Sequence, residues 1–146
     1  MSYDFLLKMK KAGFNGLCYG VESGSEKILN KFGKKIKIET IERVIKDTYS
    51  VGIDIAIDIL VGLPGESDDD FKQTLDFLTR NRKFIKQVGV NYFGILPYSY
   101  IYDNREKFEF VPGEVILRRI NELVETIKSL NISETVESGF NIEQHE

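Results

Sequence analysis

Residues 53–59 alternate strictly between isoleucine and small or acidic positions. Ile53, Ile55, Ile57 and Ile59 share one face, and Asp54, Ala56 and Asp58 the other. This period of two predicts a strand with one packed and one polar face. It runs into Gly62-Leu63-Pro64-Gly65, a turn with two glycines, and Ser67 opens a helix predicted to reach about residue 87, with Phe71, Leu75, Leu78 and Ile85 buried. Helical spacing recurs at 3–12 (Phe5, Leu6, Met9, Ala12), at 39–51 (Ile41, Val44, Ile45, Thr48, Val51) and at 113–130 (Ile116, Ile120, Leu123, Ile127, Leu130). A strand is predicted at 15–21, followed by a short helix through Leu29, and a third strand at 90–96 stopped by Pro97. Residues 98–112 form an aromatic loop with Tyr98, Tyr100, Tyr102, Phe108 and Phe110. Residues 131–146 are polar and unpatterned, so the chain divides into one unit over 1–130 and a polar tail.

A loose repeat organises these elements. Ala12-Gly13, Val51-Gly52 and Val88-Gly89 each precede an extended apolar run, the glycines 39 and 37 residues apart. That spacing suits one βα unit, and each glycine is expected at the left-handed position that ends a helix. The fold class is therefore α/β, with parallel βα repeats and three strands.

Composition narrows the function classes. A chain of 146 residues is one domain's worth, and a net charge of −3 gives no electrostatic reason to expect a nucleic-acid partner. No apolar run approaches the roughly 20 residues a membrane helix requires, and no signal-peptide core is evident. A single cysteine, Cys18, excludes an internal disulfide framework and any cysteine-ligated cluster built from this chain alone, and it suits a cytoplasmic protein.

The candidate chemistry lies at strand ends. Gly62-Leu63-Pro64-Gly65-Glu66-Ser67 has the look of a phosphate loop, but it lacks the Lys-Ser/Thr ending. Asp68, Asp69 and Asp70 begin the next helix and repel phosphate, while Ser67 with Asp70 makes a capping box. Ser23 and Glu26 have capping-box spacing too. Glu22 and Asp58 remain, carboxylates on small-residue faces near the carboxyl ends of two strands. Two such groups suit recognition of hydroxyls, such as a ribose diol, or pairing with the lysines at 31, 34, 35 and 37. The aromatic loop suits either a substrate lid or a cover for the end of a barrel. His145 stands in the tail without metal-ligand spacing.

Gly20-Val21-Glu22-Ser23-Gly24-Ser25-Glu26-Lys27-Ile28-Leu29, followed by Val51-Gly52-Ile53 and then Gly62-Leu63-Pro64-Gly65-Glu66-Ser67 with Asp70-Phe71, resembles the radical S-adenosylmethionine enzymes. The likeness covers residues 3–97 and is closest to the methylthiotransferase, cobalamin-associated and coproporphyrinogen-oxidase-like branch. The resemblance implies a partial (β/α)6 TIM-like barrel in which these strands are the fourth to sixth. It also implies S-adenosylmethionine across the barrel mouth, a 4Fe–4S cluster, and reductive cleavage to a 5′-deoxyadenosyl radical. By the same resemblance, Glu22 and Ser23 lie at the cofactor and Lys34 meets its methionine carboxylate. Asp58 meets the ribose, and Gly62, Leu96 and Pro97 lie near the adenosyl group.

The departures are equally definite. The Cys-x-x-x-Cys-x-x-Cys segment and the first three strands of the family are absent, and Tyr98-Ser99-Tyr100 replaces its usual Pro-Gly-Thr. The chain is thus expected to be part of a radical enzyme, inactive alone, with no catalytic or metal-ligating residue of its own. Its expected partner is the missing N-terminal half of the barrel or a second copy of itself, acting on an unknown substrate. The competing expectation is a non-catalytic half-barrel used for binding or assembly.

Overall fold

The alternation at 53–59 becomes β2, Asp54–Val61, in the computed structural model of the chain, which describes residues 1–136. It lies second in a four-stranded sheet of order β1 (Gly16–Glu22), β2, β3 (Gln87–Tyr92) and β4 (Ser133–Val136), with every pairing parallel. Helix α1 (Tyr3–Lys11) precedes β1, and α2 (Glu26–Lys31) and α3 (Ile38–Ser50) connect β1 to β2. Helix α4 (Asp68–Asn81) connects β2 to β3. The last crossover holds α5 (Tyr100–Asp103), a 3-10 turn at Arg105–Lys107 and α6 (Gly113–Ser129).

The isoleucine face of β2 is the centre of the core. Ile55, Ile57, Ile59 and Val61, with Val88 and Val90 of β3, pack with Ile41 and Ile45 of α3 and Ile116, Leu123 and Ile127 of α6. Each such side chain contributes on the order of 1.5–3 kcal/mol by leaving water. Among the described residues, no helix covers the other face. It presents Cys18 and Gly20 of β1, Ala56 and Asp58 of β2, and Gln87, Gly89 and Asn91 of β3, all exposed or half-buried. Among the described residues, no helix is long and apolar enough to cross a membrane.

Four expectations change. Helix α4 stops at Asn81, well short of 87, because the Phe84 amide turns back onto the Asn81 carbonyl (2.9 Å) and the Lys86 amide already bonds to the Ile55 carbonyl of β2 (2.8 Å). β3 accordingly starts at Gln87 and ends at Tyr92, so Leu96 and Pro97 stand in the following loop. Gly13 (φ 96°) and Gly52 (φ 79°) do end helices in the left-handed region, whereas Gly89 lies mid-strand in register with Asp58. Finally, residues 133–136 of the expected polar tail form β4, because the open edge of β3 supplies hydrogen bonds that a local pattern does not reveal. Residues 137–146, including His145, lie outside the described part.

Candidate functional site

Asp58 stands mid-strand in β2 on the open face, short of the carboxyl end expected from the sequence but in the half of the strand that leads towards it, the side on which parallel α/β sheets place ligands. Gly20 and Gly89 flank it in register on the neighbouring strands. A β-carbon at Gly89 would run into Asp58 Oδ1, so this glycine is the space the carboxylate occupies. The hydrogen bond recorded for Asp58 comes from Cys18 Sγ (3.3 Å), and among the described residues no cation lies within ion-pair distance. Burial raises the Cys18 thiol above its ordinary value, helped by the hydrogen bond to Asp58 and by the charges of Asp58 and Glu22, which makes it a neutral donor.

Glu22 ends β1 at a bulge, its backbone left-handed at φ 68°. That conformation costs a non-glycine residue about 1–2 kcal/mol and marks the position as built for its side chain. Lys34 reaches back over the strand end, donating to Glu22 Oε1 (3.1 Å) and to the Gly20 carbonyl. A β-carbon at Gly20 would stand 2.6 Å from Glu22 Oε1, so Gly20 lets the pair lie down on the sheet. Of the two carboxylates, Glu22 is paired with a lysine and Asp58 is not.

Ser23 does not join this open face. It is fully buried, its hydroxyl 3.3 Å from Thr74 Oγ1 on α4, and it accepts from the Ser25 amide (3.1 Å). Ser25, not Ser23, caps α2, and Glu26 accepts from the Ile38 amide at the start of α3 (2.9 Å). Gly24 explains the closeness: a β-carbon there would lie 2.5 Å from the Gln73 carbonyl oxygen. The Ser67–Asp70 capping box is present, but Asp70 does more. It is buried and also accepts from Ser25 Oγ (2.7 Å) and Lys27 Nζ (2.5 Å), tying the loop after β1 to α4. Burial pushes the Asp70 carboxyl up, yet the bonds from Lys27, Ser67 and Ser25 outweigh it and hold it well below the usual carboxylate range.

Gly62 is left-handed at φ 84°, and a β-carbon there would meet Ile116 Cδ1 of α6 at 2.7 Å. Its amide donates to Glu66 Oε2 (3.1 Å), and that oxygen also accepts from Arg119 Nη1 (3.0 Å). Glu66 and Arg119 are 6 % and 3 % exposed, a buried ion pair absent from the sequence-based site. Burial raises the Glu66 carboxyl to about 7, against the Gly62 amide and the Arg119 charge, which pull it down. A signal did exist: Arg119 occupies the i+3 place in the apolar stripe Ile116, Ile120, Leu123 and Ile127. Above the sheet, Lys31 Nζ lies against Gly65, and the Phe32 ring packs on Phe93 (centroids 6.1 Å apart). Leu96 (72 % exposed) and Pro97 stand exposed in the loop after β3, with Tyr98 left-handed at φ 66°.

The donor set bears on cofactors. A small-residue cradle holding an unpaired carboxylate fits a polyhydroxylated, positively charged ligand such as S-adenosylmethionine. An iron–sulfur cluster does not fit this chain, whose sequence holds one cysteine, and no group of three or more metal-ligating side chains occurs among the described residues.

Comparison with known proteins places the chain. The family model described as "Radical SAM superfamily" matches residues 1–78. A threonylcarbamoyladenosine tRNA methylthiotransferase of Thermotoga maritima is 42% identical over 62 residues, covering 41% of this chain and 14% of that protein. A tRNA-2-methylthio-N(6)-dimethylallyladenosine synthase of Thermosipho africanus is 34% identical over 116 residues, covering 76% and 25%. The chain therefore spans a quarter or less of these relatives. Coproporphyrinogen III oxidase from Escherichia coli, a radical SAM enzyme, superposes with a TM-score of 0.74 at 20% identity, over 89% of this chain and 30% of that one.

Proposed function

Because the chain belongs to the radical SAM superfamily, whose members use S-adenosylmethionine and a 4Fe–4S cluster, we propose that it forms one S-adenosylmethionine-facing wall of a radical enzyme's catalytic domain. In this reading β1, β2 and β3 are the second half of a (β/α)6 barrel, β4 extends the sheet beyond it, and the open face is the barrel lumen. The observation that carries the proposal is Asp58, a carboxylate without a cation partner among the described residues, set between Gly20 and Gly89 on the open face.

Each residue then has a task. Asp58 accepts from the ribose hydroxyls. Glu22 accepts from the amino or ribose part of the cofactor, and Lys34 moves from Glu22 towards the methionine carboxylate, a charge-assisted bond. The backbone beside Gly62 and the loop at Leu96 and Pro97 border the adenosyl group. Ser23 acts from behind, holding the loop after β1 against α4. When bound beside a reduced cluster, S-adenosylmethionine supplies radical chemistry to the parent enzyme. The residues of this chain bind and orient it, and the cluster thiolates come from another polypeptide segment. The substrate class of the relatives, modified adenosine in tRNA, is the first to try with the complete enzyme.

The partner is the N-terminal half of the barrel. Among the described residues β1 is an edge strand with an unpaired flank, and beside it Met1, Tyr19, Val21, Ile36, Ile41, Val44 and Ile45 line a groove of about 330 Å³. Tyr3, Phe5 and Leu7 on α1, with Phe14, are exposed at the same end of the chain. A parallel βα unit against β1 satisfies the strand edge and covers these apolar groups together. A second copy related by a two-fold axis would pair β1 antiparallel and send the two cofactor walls to opposite ends. In isolation the chain is expected to self-associate through this edge.

The test is amide NMR of the 146-residue chain with millimolar S-adenosylmethionine. Shifts confined to residues near Gly20, Asp58 and Gly89, and abolished by Asp58→Ala, support the reading. An unresponsive spectrum, or shifts elsewhere, sinks it in favour of a non-catalytic module.

A further inference from the structure

We propose that Arg119 of α6 is a positioning residue for the cofactor wall, setting the turn at 62–66 through Glu66. This rests on the assignment of that turn to the S-adenosylmethionine site.

Physical cost makes the pair informative. Removing a guanidinium and a carboxylate from water costs several kcal/mol per ion, and well-packed apolar side chains in the same volume are often at least as stabilising. Arg119 Nε adds to that cost, being buried with no hydrogen-bond partner among the described residues. Stability alone therefore gives no reason for an arginine in the apolar stripe of α6. Geometry gives one. Arg119 Nη1 donates to Glu66 Oε2 (3.0 Å), both Nη atoms reach the Glu66 carbonyl oxygen (3.3 Å each), and Nη2 reaches Asp68 Oδ1 (3.0 Å). The same Oε2 accepts from the Gly62 amide, so one carboxylate oxygen bridges the first residue of the turn to α6.

A second contact removes the remaining freedom. Ile116, one helical turn before Arg119, fills the space beside the Gly62 α-carbon. The guanidinium also lies over the Phe71 ring, 5.5 Å from its centroid, which connects the start of α4 to the same point. On the far side of the turn, the Gly65 amide donates to the Glu109 carbonyl (2.7 Å) in the segment leading into α6. The turn is thus held from α6 at Gly62 and Glu66 and from the segment before α6 at Gly65. Gly62 follows directly on β2, whose Asp58 is the proposed ribose ligand, so displacement of the turn moves the backbone nearest the adenosyl group. Lysine at 119 lacks the planar fork that serves Glu66 and Asp68 together.

The experiment compares Arg119→Met and Arg119→Lys with Ile120→Val, an ordinary core truncation on the same helix. Hydrogen exchange of individual amides and the shift response to S-adenosylmethionine are read in each. The expected result is at least about ten-fold faster exchange at Gly62, Gly65 and Glu66 relative to Ile57 and Ile59 in both Arg119 variants, with about five-fold weaker cofactor response. Ile120→Val should speed exchange uniformly. Uniform acceleration in the Arg119 variants, or an unchanged cofactor response despite a loosened turn, overturns the proposal. If wild-type chain gives no cofactor response, the cofactor assignment fails by itself, and the exchange pattern still decides whether Arg119 sets the turn. Should Arg119→Met not fold, Arg119→Lys decides alone: it keeps a charge beside Glu66 and the Gly62 acceptor but not the fork that also reaches Asp68, and the same localised pattern is expected.

Discussion

Asp58 and Gly89 stand opposite one another in the β2–β3 register, and the Asp58 carboxylate fills the place a side chain at 89 would need. The glycine is therefore a consequence of the acid. Gly89→Ala should cost about 1–3 kcal/mol in urea denaturation, as overpacking does. In an Asp58→Ala background most of that cost should vanish, giving a coupling of at least about 0.5 kcal/mol in the double-mutant cycle. Additive costs would mean that Gly89 serves the backbone alone.

Glu22 separates binding from stability. Its left-handed backbone is strained for any residue but glycine, and its ion pair with Lys34 is half-exposed, so that pair is worth at most about 1 kcal/mol. Glu22→Gly should leave the free energy of unfolding unchanged or raise it by up to about 1 kcal/mol. The same variant should lose the response of the Gly20 amide to S-adenosylmethionine. A clear loss of stability would return Glu22 to a purely structural pairing with Lys34.

Asp70 joins two loops through four acceptor contacts, two of them to Ser67. Asp70→Ala should destabilise the chain by about 2–4 kcal/mol, the range for a buried, multiply bonded carboxylate. Since its folded pKa is depressed, its contribution is complete above the unfolded value near 4 and declines as pH falls below it. Thermal melts from pH 5 down to 2 should show wild type losing more stability than Asp70→Asn.

Glu66 has the opposite sign. Its folded pKa of about 7 lies above the ordinary 4.5, so the folded chain holds this proton more tightly than the unfolded chain. The contribution is fully present below 4.5 and is lost as pH rises through about 7, by at most about 3 kcal/mol. Glu66→Gln keeps an acceptor for Gly62 and Arg119 but cannot titrate. Its stability relative to wild type should therefore rise between pH 4.5 and 7 and be flat above. A pH-independent difference would show that Arg119 keeps Glu66 ionised throughout.

Local pattern carried much of this protein. Ile53 to Ile59 dictate which face of β2 is packed, because side chains alternate sides whatever the surroundings. Asp58 is thereby placed on the open face, and Ser67 with Asp70 marks the start of α4. Helix α6 runs nearly as its apolar spacing predicts. Elements that depended on a distant partner were not legible. Ser23 has capping spacing with Glu26, yet Thr74, a partner 51 residues away, takes its hydroxyl. Helix α4 ends at Asn81 because the chain turns to pair Lys86 with Ile55 of β2, which the run of apolar residues towards Ile85 does not announce.

Residue type and near spacing settle the parallel α/β class, the polar face bearing Asp58, the family motifs and the lack of cluster thiolates. Packing between distant segments is what makes Gly89 the room for Asp58, adds Ser133–Val136 as a fourth strand, and brings Arg119 onto Glu66 from 53 residues away. Those outcomes arise from which surfaces meet when βα units pack side by side. Burial then turns a charge on a helix and a charge in a turn into one bonded unit, because neither can stay in the core without the other.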